Sequence, residues 1–311
     1  MSCRIPEANS YLNHLAATPL IPVSLGETAI WCKLEFLNPS GSTKDRIARF
    51  ILAKAWREGN LTRKHTVIEA SSGSTSIAMA LVCAQLGVRF IAVMPEGVSN
   101  ERVLMIRAYG GEIRLTPKEA GIHGAIAETE RLACEMPTFL PRQFENIDNA
   151  TAHRMNTARE ILEQIPGGTV DAVVSGVGTG GTLVGLHQGF LDGGCNARPF
   201  HAKPIMLSGS TVPEIECCSF SGRIPGVVEC VSKIFHEDMP GLAVIEIRDE
   251  EAIETTRALI KLGFPVGPSS GLNYLAAQRA AAILGGQPQV VTVFADRMER
   301  YFTTELFQKA V

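Results

Sequence analysis

Apolar, β-branched runs alternate with segments of helical periodicity along almost the whole chain. Several runs are apolar on both faces, as parallel strands are when helices cover both sides of their sheet. This alternation predicts an α/β fold with mostly parallel sheets flanked by helices. The predicted strands are 29–37, 67–70, 89–94, 112–115, 171–175, 204–208, 242–247 and 290–295. The predicted helices are 46–59, 75–86, 100–109, 123–135, 150–164, 182–190, 250–262, 272–284 and 298–307.

The size and charge of the chain limit its organisation and its partners. At 311 residues, of which 45% are hydrophobic, the chain is long for a single core. We therefore expect two lobes or one large α/β unit, with a boundary near the polar stretch 145–151. The net charge of −3 gives no reason to expect nucleic acid. No apolar run is long enough to cross a bilayer, and the N-terminus has no apolar signal core, so no membrane partner is expected.

The cysteines and histidines point to a reduced, metal-free protein. Eight cysteines are scattered without a Cys-x-x-Cys pair, which predicts reduced thiols and a cytoplasmic location. The seven histidines show no metal-ligand spacing, so no metal site is predicted.

A lysine stands where a strand gives way to a helix, in the segment Asn38-Pro39-Ser40-Gly41-Ser42-Thr43-Lys44-Asp45-Arg46. Proline ends the strand, and the small residues that follow form a turn. Lys44 then lies at or just before the helix N-terminus, where the helix dipole lowers the pKa of its amine. A lysine of lowered pKa is a good nucleophile toward an aldehyde. The alternative is a surface lysine in a polar loop.

Two further segments follow strands and open helices. Residues 69–76 read Glu-Ala-Ser-Ser-Gly-Ser-Thr-Ser, and five hydroxyl groups at a helix start suit a carboxylate or a phosphate. The alternative for this segment is a helix cap with extra serines. Residues 175–182 read Ser-Gly-Val-Gly-Thr-Gly-Gly-Thr, which lets a phosphate approach the backbone.

The second segment also fits Gly-x-Gly-x-x-Gly through Gly176, Gly178 and Gly181, the pattern of a dinucleotide site. That site needs an acid at the end of the next strand, and 206–210 contains none. A phosphate-binding loop formed by 175–182, called the cup below, therefore fits this segment better than the dinucleotide site of a nucleotide-binding oxidoreductase or a purely structural turn. A third turn, 267–271, carries Ser269 and would by itself indicate only a capped turn.

Together, a reactive lysine, an anion-binding loop and a phosphate cup suggest an aldehyde cofactor that carries a phosphate. In their order and spacing, these motifs resemble the fold-type-II pyridoxal-phosphate enzymes, a family that includes tryptophan synthase β chains. The resemblance is strongest to the cysteine synthase (O-acetylserine sulfhydrylase) and cystathionine β-synthase family, and it covers residues 18–302. It implies two lobes: 35–146, with a mobile subdomain at 94–111 that closes over substrate, and 1–34 with 147–311, which binds the cofactor phosphate.

The resemblance also implies roles for individual residues. Lys44 forms a Schiff base with pyridoxal 5'-phosphate and is the catalytic residue. Ser74 takes the place of an asparagine that contacts the cofactor ring oxygen, and Ser269 bonds the pyridine nitrogen. The phosphate is held by Gly178, Thr179, Gly180, Gly181 and Thr182. The substrate α-carboxylate is received by Ser71, Ser72, Thr75 and Gln143.

The implied reaction is β-replacement on O-acetylserine or O-phosphoserine by sulfide or a thiol, giving L-cysteine or an analogue. Ser74 and Ser76 depart from the usual asparagine and glycine and keep β-elimination open, as in a cysteine desulfhydrase or serine dehydratase. Lys44-Asp45-Arg46 and Asp296 resemble cystathionine β-synthases and the second-isozyme type of cysteine synthase. A cystathionine β-synthase condenses serine with homocysteine. Arg223 is a candidate for binding a phosphorylated serine, or else a solvated loop residue. The family also implies a homodimer and a possible serine acetyltransferase partner, and a docking scaffold is a further reading that the intact Lys44 disfavours.

Overall fold

A computed structural model describes residues 10–26, 28–71, 73–205, 224–225, 227 and 232–308. Its strands form two sheets, which confirms the predicted α/β class. The strands are β1 Leu20–Val23, β2 Ile30–Lys33, β3 Thr66–Ala70, β4 Arg89–Pro95, β5 Glu112–Thr116, β6 Thr138–Phe139, β7 Ala172–Ser175, β8 Arg198–Ile205, β9 Ala243–Arg248 and β10 Val290–Val293.

The four-stranded sheet has the order β5-β4-β3-β6 and is parallel throughout. The six-stranded sheet has the order β1-β2-β10-β7-β8-β9, and only the β1–β2 pair is antiparallel. Every residue of β3, β7 and β10 is buried, because helices cover both faces of these central strands. An apolar side chain in these strands is therefore buried whichever face of the sheet it lies on.

The described residues form ten α-helices. They are α1 Lys44–Arg57, α2 Ser74–Leu86, α3 Asn100–Ala108, α4 Gly121–Ala133, α5 Asp148–Ala152, α6 Ala158–Gln164, α7 Gly181–Asp192, α8 Asp249–Lys261, α9 Pro268–Leu284 and α10 Glu305–Gln308. A π-helical turn, His153–Thr157, joins α5 to α6. In the described parts of the chain, no helix has the length and apolar character needed to cross a membrane.

Some predicted elements were wrong in extent. The strand predicted at 204–208 is β8, which begins at Arg198 and is described as far as Ile205. Pro199 and Pro204 interrupt its apolar pattern, although both lie in register with neighbouring strands. The helix predicted at 298–307 is a 3₁₀ turn, Met298–Tyr301, followed by the short α10.

Other differences bear on the site. The predicted helix 150–164 is α5, the π turn and α6 in succession. Helix α9 begins at Pro268 rather than at 272, because proline is well suited to the first helical turn. Ser269 therefore lies inside that first turn rather than in a loop before it.

The two sheets take their strands from different parts of the chain. All four strands of the smaller sheet lie between 66 and 139, and those of the larger sheet lie at 20–33 and 172–293. The exact lobes, 35–146 against 1–34 with 147–311, remain a prediction.

Candidate active site

A pocket opens where the C-terminal ends of strands from both sheets meet, the usual place for ligands in α/β folds. It brings together ten of the residues predicted from sequence: Lys44, Ser71, Ser74, Thr75, Gln143, Gly178, Thr179, Gly180, Thr182 and Ser269. Gly181 begins helix α7 directly beside this lining. Ser72 and Arg223 lie outside the described residues, so their predicted roles stay predictions.

The loop that presents Lys44 is folded around the buried carboxylate of Asp45. The Asp45 Oδ1 atom accepts a hydrogen bond from the Ser40 backbone N–H at 2.9 Å. Its Oδ2 atom accepts from Ser40 Oγ at 2.5 Å and from the Ser42 N–H at 3.4 Å. Lys44 is the first residue of α1 and Asp45 is the second. The hydrogen bonds of Asp45 therefore fix how the loop enters the helix at Lys44.

The C-terminal part of the chain holds the same loop from the other side. The Thr43 N–H donates to Ala295 O at 2.8 Å, and the Arg297 N–H donates to Gly41 O at 3.1 Å. The buried Arg300 guanidinium donates to Ser40 O. Gly41 has φ of +81°, and a Cβ there would lie 2.7 Å from Arg297 Cδ. This turn therefore requires glycine, and it is held against residues that are about 250 positions away in sequence.

Burial lowers the pKa of the Lys44 amine, and the carboxylates of Asp296 and Glu35 offset part of that effect. The direction agrees with the sequence prediction, but burial is the main cause rather than the helix dipole. A larger fraction of Lys44 is therefore the neutral amine near pH 7, the form that attacks an aldehyde or accepts a proton.

Segment 69–76 is called the hydroxyl loop below, and its described residues form one hydrogen-bonded unit with Gln143. Thr75 Oγ1 donates to Gln143 Oε1 at 2.5 Å, and Gln143 Nε2 donates to Ala70 O at 2.7 Å. Among the described residues no second acceptor faces this amide, which leaves one of its hydrogens for a ligand. The Gln143 N–H donates to the buried carboxyl of Glu69 at 3.2 Å. Burial raises the pKa of Glu69 to about 8, so this group is mostly neutral at pH 7.

The glycine cup follows β7 and leads into helix α7. Gly180 has φ of +78°, and a Cβ there would lie 2.4 Å from Phe235 Cβ. Ser232 Oγ donates to Thr179 O at 2.7 Å and closes the cup from the side of the 232–235 segment. The backbone N–H groups at the start of α7 have no acceptor within the helix, so the cup is suited to an anion.

Ser74 and Ser269 also line the pocket. Ser74 Oγ donates to Asp296 Oδ2 at 3.2 Å, and the Tyr301 hydroxyl donates to the same oxygen at 2.6 Å. The Arg102 guanidinium lies 5.2 Å from the Tyr301 ring centroid, within cation–π distance. Ser269 lines the pocket from the first turn of α9.

These residues fit pyridoxal 5'-phosphate. The cup offers helix-start N–H groups to a phosphate, and Lys44 offers a buried amine to an aldehyde in the same pocket. Thr43 also lines this pocket, and its Oγ1 atom is buried without a hydrogen-bond partner among the described residues. An unpartnered buried hydroxyl is costly, and a polar ligand would remove that cost.

Sequence reasoning missed several buried polar residues that support the site. Asn273 accepts from the Gly176 N–H at 2.7 Å and donates to Val293 O at 2.9 Å. His153, in the π turn, has its Nε2 atom 3.3 Å from Thr182 Oγ1. Burial lowers the pKa of His153 to about 3, so the imidazole is neutral. A π turn is frequent at functional sites, but the helical periodicity of 150–164 gave no sign of it.

Fold and site together define a pyridoxal-phosphate enzyme, and comparison with known proteins agrees. The family described as "Pyridoxal-phosphate dependent enzyme" matches residues 11–296. The chain is 38% identical to a cysteine synthase from Staphylococcus aureus over 283 residues, or 89% of each protein. The chain belongs to the cysteine synthase family of pyridoxal-phosphate dependent enzymes, which confirms the cofactor and the family predicted from sequence.

The solved structures that are similar to this chain include the following two. One is an O-acetylserine dependent cystathionine β-synthase from Helicobacter pylori, with a TM-score of 0.84 and 32% identity, covering 96% of this chain and 98% of that one. The other is a hydrogen sulfide-producing enzyme from Fusobacterium nucleatum, with a TM-score of 0.83 and 33% identity, covering 96% and 91%. The roles of individual site residues remain predictions.

Proposed function

We propose that this enzyme replaces the β-substituent of an activated serine, O-acetylserine or O-phosphoserine, with sulfide or a thiol, giving L-cysteine or an analogue. The observation that carries the proposal is the meeting of Lys44, the glycine cup and the hydroxyl loop in a single pocket. The names of the relatives, cysteine synthase and O-acetylserine dependent cystathionine β-synthase, support the same substrate class.

Lys44 would hold the cofactor through its amine, and the same amine is proposed to take the α-proton from the substrate and return it. Burial suits both tasks, because it favours the neutral amine. The bound cofactor supplies an electron-withdrawing system that makes the α-proton acidic. The other residues that we assign below are proposed to bind and orient the cofactor and the substrate.

The cup and Ser269 are proposed to fix the two ends of the cofactor. Gly178, Thr179, Gly180, Gly181 and Thr182 present N–H and hydroxyl donors for the phosphate. Ser269 presents a neutral hydroxyl for the pyridine nitrogen. Ser74, bonded to Asp296, lies beside Thr75 and is proposed to face the cofactor ring oxygen.

The substrate α-carboxylate is proposed to bind Ser71, Ser72, Thr75 and Gln143. Of the described members of this set, Ser71 accepts from the Gly73 N–H at 3.1 Å, and Gln143 is fixed by Thr75 and Ala70. Such preorganised donors orient a substrate at little further entropic cost. Arg223 is proposed to help if the substrate carries a phosphate.

β-Elimination on the same scaffold is the second candidate, as in a cysteine desulfhydrase or serine dehydratase. Ser74 keeps it open, because a shorter side chain, bonded to Asp296, stands where the family usually has asparagine. The similarity to a hydrogen sulfide-producing enzyme points the same way. Condensation of serine with homocysteine is a further variant of the proposed replacement.

The test is to follow the visible absorption of the purified holoenzyme while O-acetylserine and then sulfide are added, with cysteine and pyruvate assayed in parallel. We expect O-acetylserine to change the spectrum persistently, and sulfide to restore it as cysteine forms. Pyruvate that accumulates without sulfide would instead identify an eliminase. An unchanged spectrum would rule out O-acetylserine, and O-phosphoserine, serine and cysteine would be tried next.

The resemblance supports three proposals at a larger scale: a homodimer, a location in the cytoplasm and an association with serine acetyltransferase. Sedimentation velocity of the protein alone tests the dimer. Cosedimentation with a serine acetyltransferase tests the association, and fluorescence microscopy of a tagged protein tests the location.

A further inference from the structure

Asn149 belongs to none of the sequence motifs, yet its side chain lies between the two halves of the site. It is the second residue of α5 and is 1% exposed. Its Nδ2 atom donates to Gln143 O at 2.8 Å and to Thr179 Oγ1 at 2.8 Å. Because a backbone carbonyl can only accept, the amide nitrogen rather than the oxygen must face Gln143 O. Both amide hydrogens are therefore used.

This contact decides how the Thr179 hydroxyl can act. A hydroxyl has one hydrogen to donate, and it accepts through its lone pairs. Thr179 Oγ1 accepts from Asn149 and, at a long 3.5 Å, from the Gly181 N–H. Its acceptor side therefore faces the protein. Since Thr179 lines the pocket, its own hydrogen is left to donate to a group bound there.

Gly181, two residues after Thr179, makes room for the Asn149 side chain beside the Thr179 hydroxyl. A Cβ on Gly181 would lie 1.9 Å from Asn149 Oδ1, so any larger residue would displace the amide. Gly181 thus does more than expose backbone to an anion: it makes room for the side chain that orients Thr179. On the other side, Gln143 bonds Thr75 at 2.5 Å, so a chain of hydrogen bonds joins the hydroxyl loop to the cup.

We propose that Asn149 is a positioning residue that turns the Thr179 hydroxyl hydrogen toward the cofactor phosphate and holds Gln143 in register with it. The proposal rests on the proposed function, in which the phosphate occupies the cup. A phosphate dianion accepts hydrogen bonds strongly and donates none, so it benefits only if this hydroxyl is fixed as a donor.

The test is a titration of cofactor-free protein with pyridoxal 5'-phosphate, together with the ³¹P NMR shift of the bound phosphate. We expect Asn149→Ala to weaken cofactor binding by about 10- to 100-fold, the range for a lost hydrogen bond to a charged group. Asn149→Asp should weaken it further, because a carboxylate accepts the Thr179 hydrogen and repels the phosphate. Both variants should shift the ³¹P signal.

Asn146→Ala is the matched control. Asn146 lies on the same segment and makes two bonds of its own, to Pro141 O and from the Asp148 N–H, both at 3.0 Å. We expect its cofactor affinity and ³¹P shift to match those of the wild type. Thr179→Val removes the donor without touching α5, and combining it with Asn149→Ala should cost little more than Thr179→Val alone.

Three results would overturn the proposal: wild-type affinity in Asn149→Ala, the same weakening in Asn146→Ala, or fully additive losses in the double variant. Thr179→Val keeps the test decisive if the Asn149 variants do not fold, because wild-type affinity in that variant also refutes the proposal. A wild-type protein that binds no pyridoxal 5'-phosphate would refute the proposed function itself.

Discussion

Glu35 is a fully buried acid beside Arg46 of α1, and neighbouring groups stabilise its negative charge. The Arg46 guanidinium donates to both of its oxygens at 2.6 Å, and Thr18 Oγ1 donates at 2.6 Å. Burial alone would raise the pKa of Glu35, but the Arg46 charge and these hydrogen bonds lower it to about 2. The same carboxylate acts on Lys44 and His153, so it connects stability to the site.

The ion pairs extend from Arg46 into α6 and β2. Arg46 also donates to Glu160 at 2.7 and 2.8 Å, and Glu160 pairs with the fully buried Lys33 at 2.9 Å. Replacing one member of this buried group leaves another charge without a partner. The resulting loss of folding stability is larger than the stability that an exposed ion pair contributes.

Glu35 should make stability depend on acid pH. Its pKa is lower in the folded protein than the ordinary 4.5, so its contribution is complete above about pH 4.5 and is lost as the pH falls toward 2. We expect up to about 3 kcal/mol of the free energy of unfolding to disappear in this window. In Glu35→Gln, stability at pH 7 should be lower and the loss below pH 4.5 smaller, as measured by urea unfolding.

Glu112→Gln is the control for that experiment. Glu112 also receives two bonds from an arginine, Arg89, but both side chains are about half exposed. Glu112→Gln should lower the free energy of unfolding by less than about 1 kcal/mol. Equal effects of the two substitutions would contradict the account of Glu35.

At the scale of elements, close packing of α7 against α5, the π turn and α6 supports the cup. A Cβ on Gly185 would lie 2.2 Å from Ala150 O and 2.7 Å from His153 Cβ. A Cβ on Gly189 would lie 2.4 Å from Ala158 Cβ. The helices thus touch along a face of α7 that has no side chains, which brings Asn149 and His153 to the start of α7.

Gly185→Ala should therefore be destabilising, although alanine favours a helix more than glycine does. We expect a loss of about 1–3 kcal/mol, because the new methyl group overlaps backbone that cannot move by a rotamer change alone. Urea unfolding followed by circular dichroism measures it, with Gln188→Ala on the same helix as the control. A variant more stable than the wild type would show that this helix contact is loose.

The same packing explains which parts of the site the sequence could predict. The cup and the hydroxyl loop follow strand ends directly, and Lys44 follows a short turn at the start of α1, so the local pattern was enough to place them at the site. Asn149 and His153 reach it from α5 and the π turn, and their direction depends on how two helices meet. No local pattern carries that information.

At the scale of the whole molecule, the pocket joins both sheets. Ser71 and Thr75 follow β3 of the four-stranded sheet, whereas Thr179 follows β7 of the six-stranded sheet. The sequence predicted the α/β alternation, because central strands are apolar on both faces. It could not predict β1 or β6. Strand β1 has four residues, one of them a proline, and β6 has only two, so both owe their pairing to neighbouring strands.

The central claim, that Lys44 holds the cofactor in this pocket, has a direct test. Sodium borohydride is added to the holoenzyme to fix pyridoxal 5'-phosphate to the amine that binds it, and the digested protein is mapped by mass spectrometry. The account predicts the label on the peptide that contains Lys44, and no label in Lys44→Arg. A label on another lysine, such as Lys203 or Lys233, or none in the wild type, would contradict it.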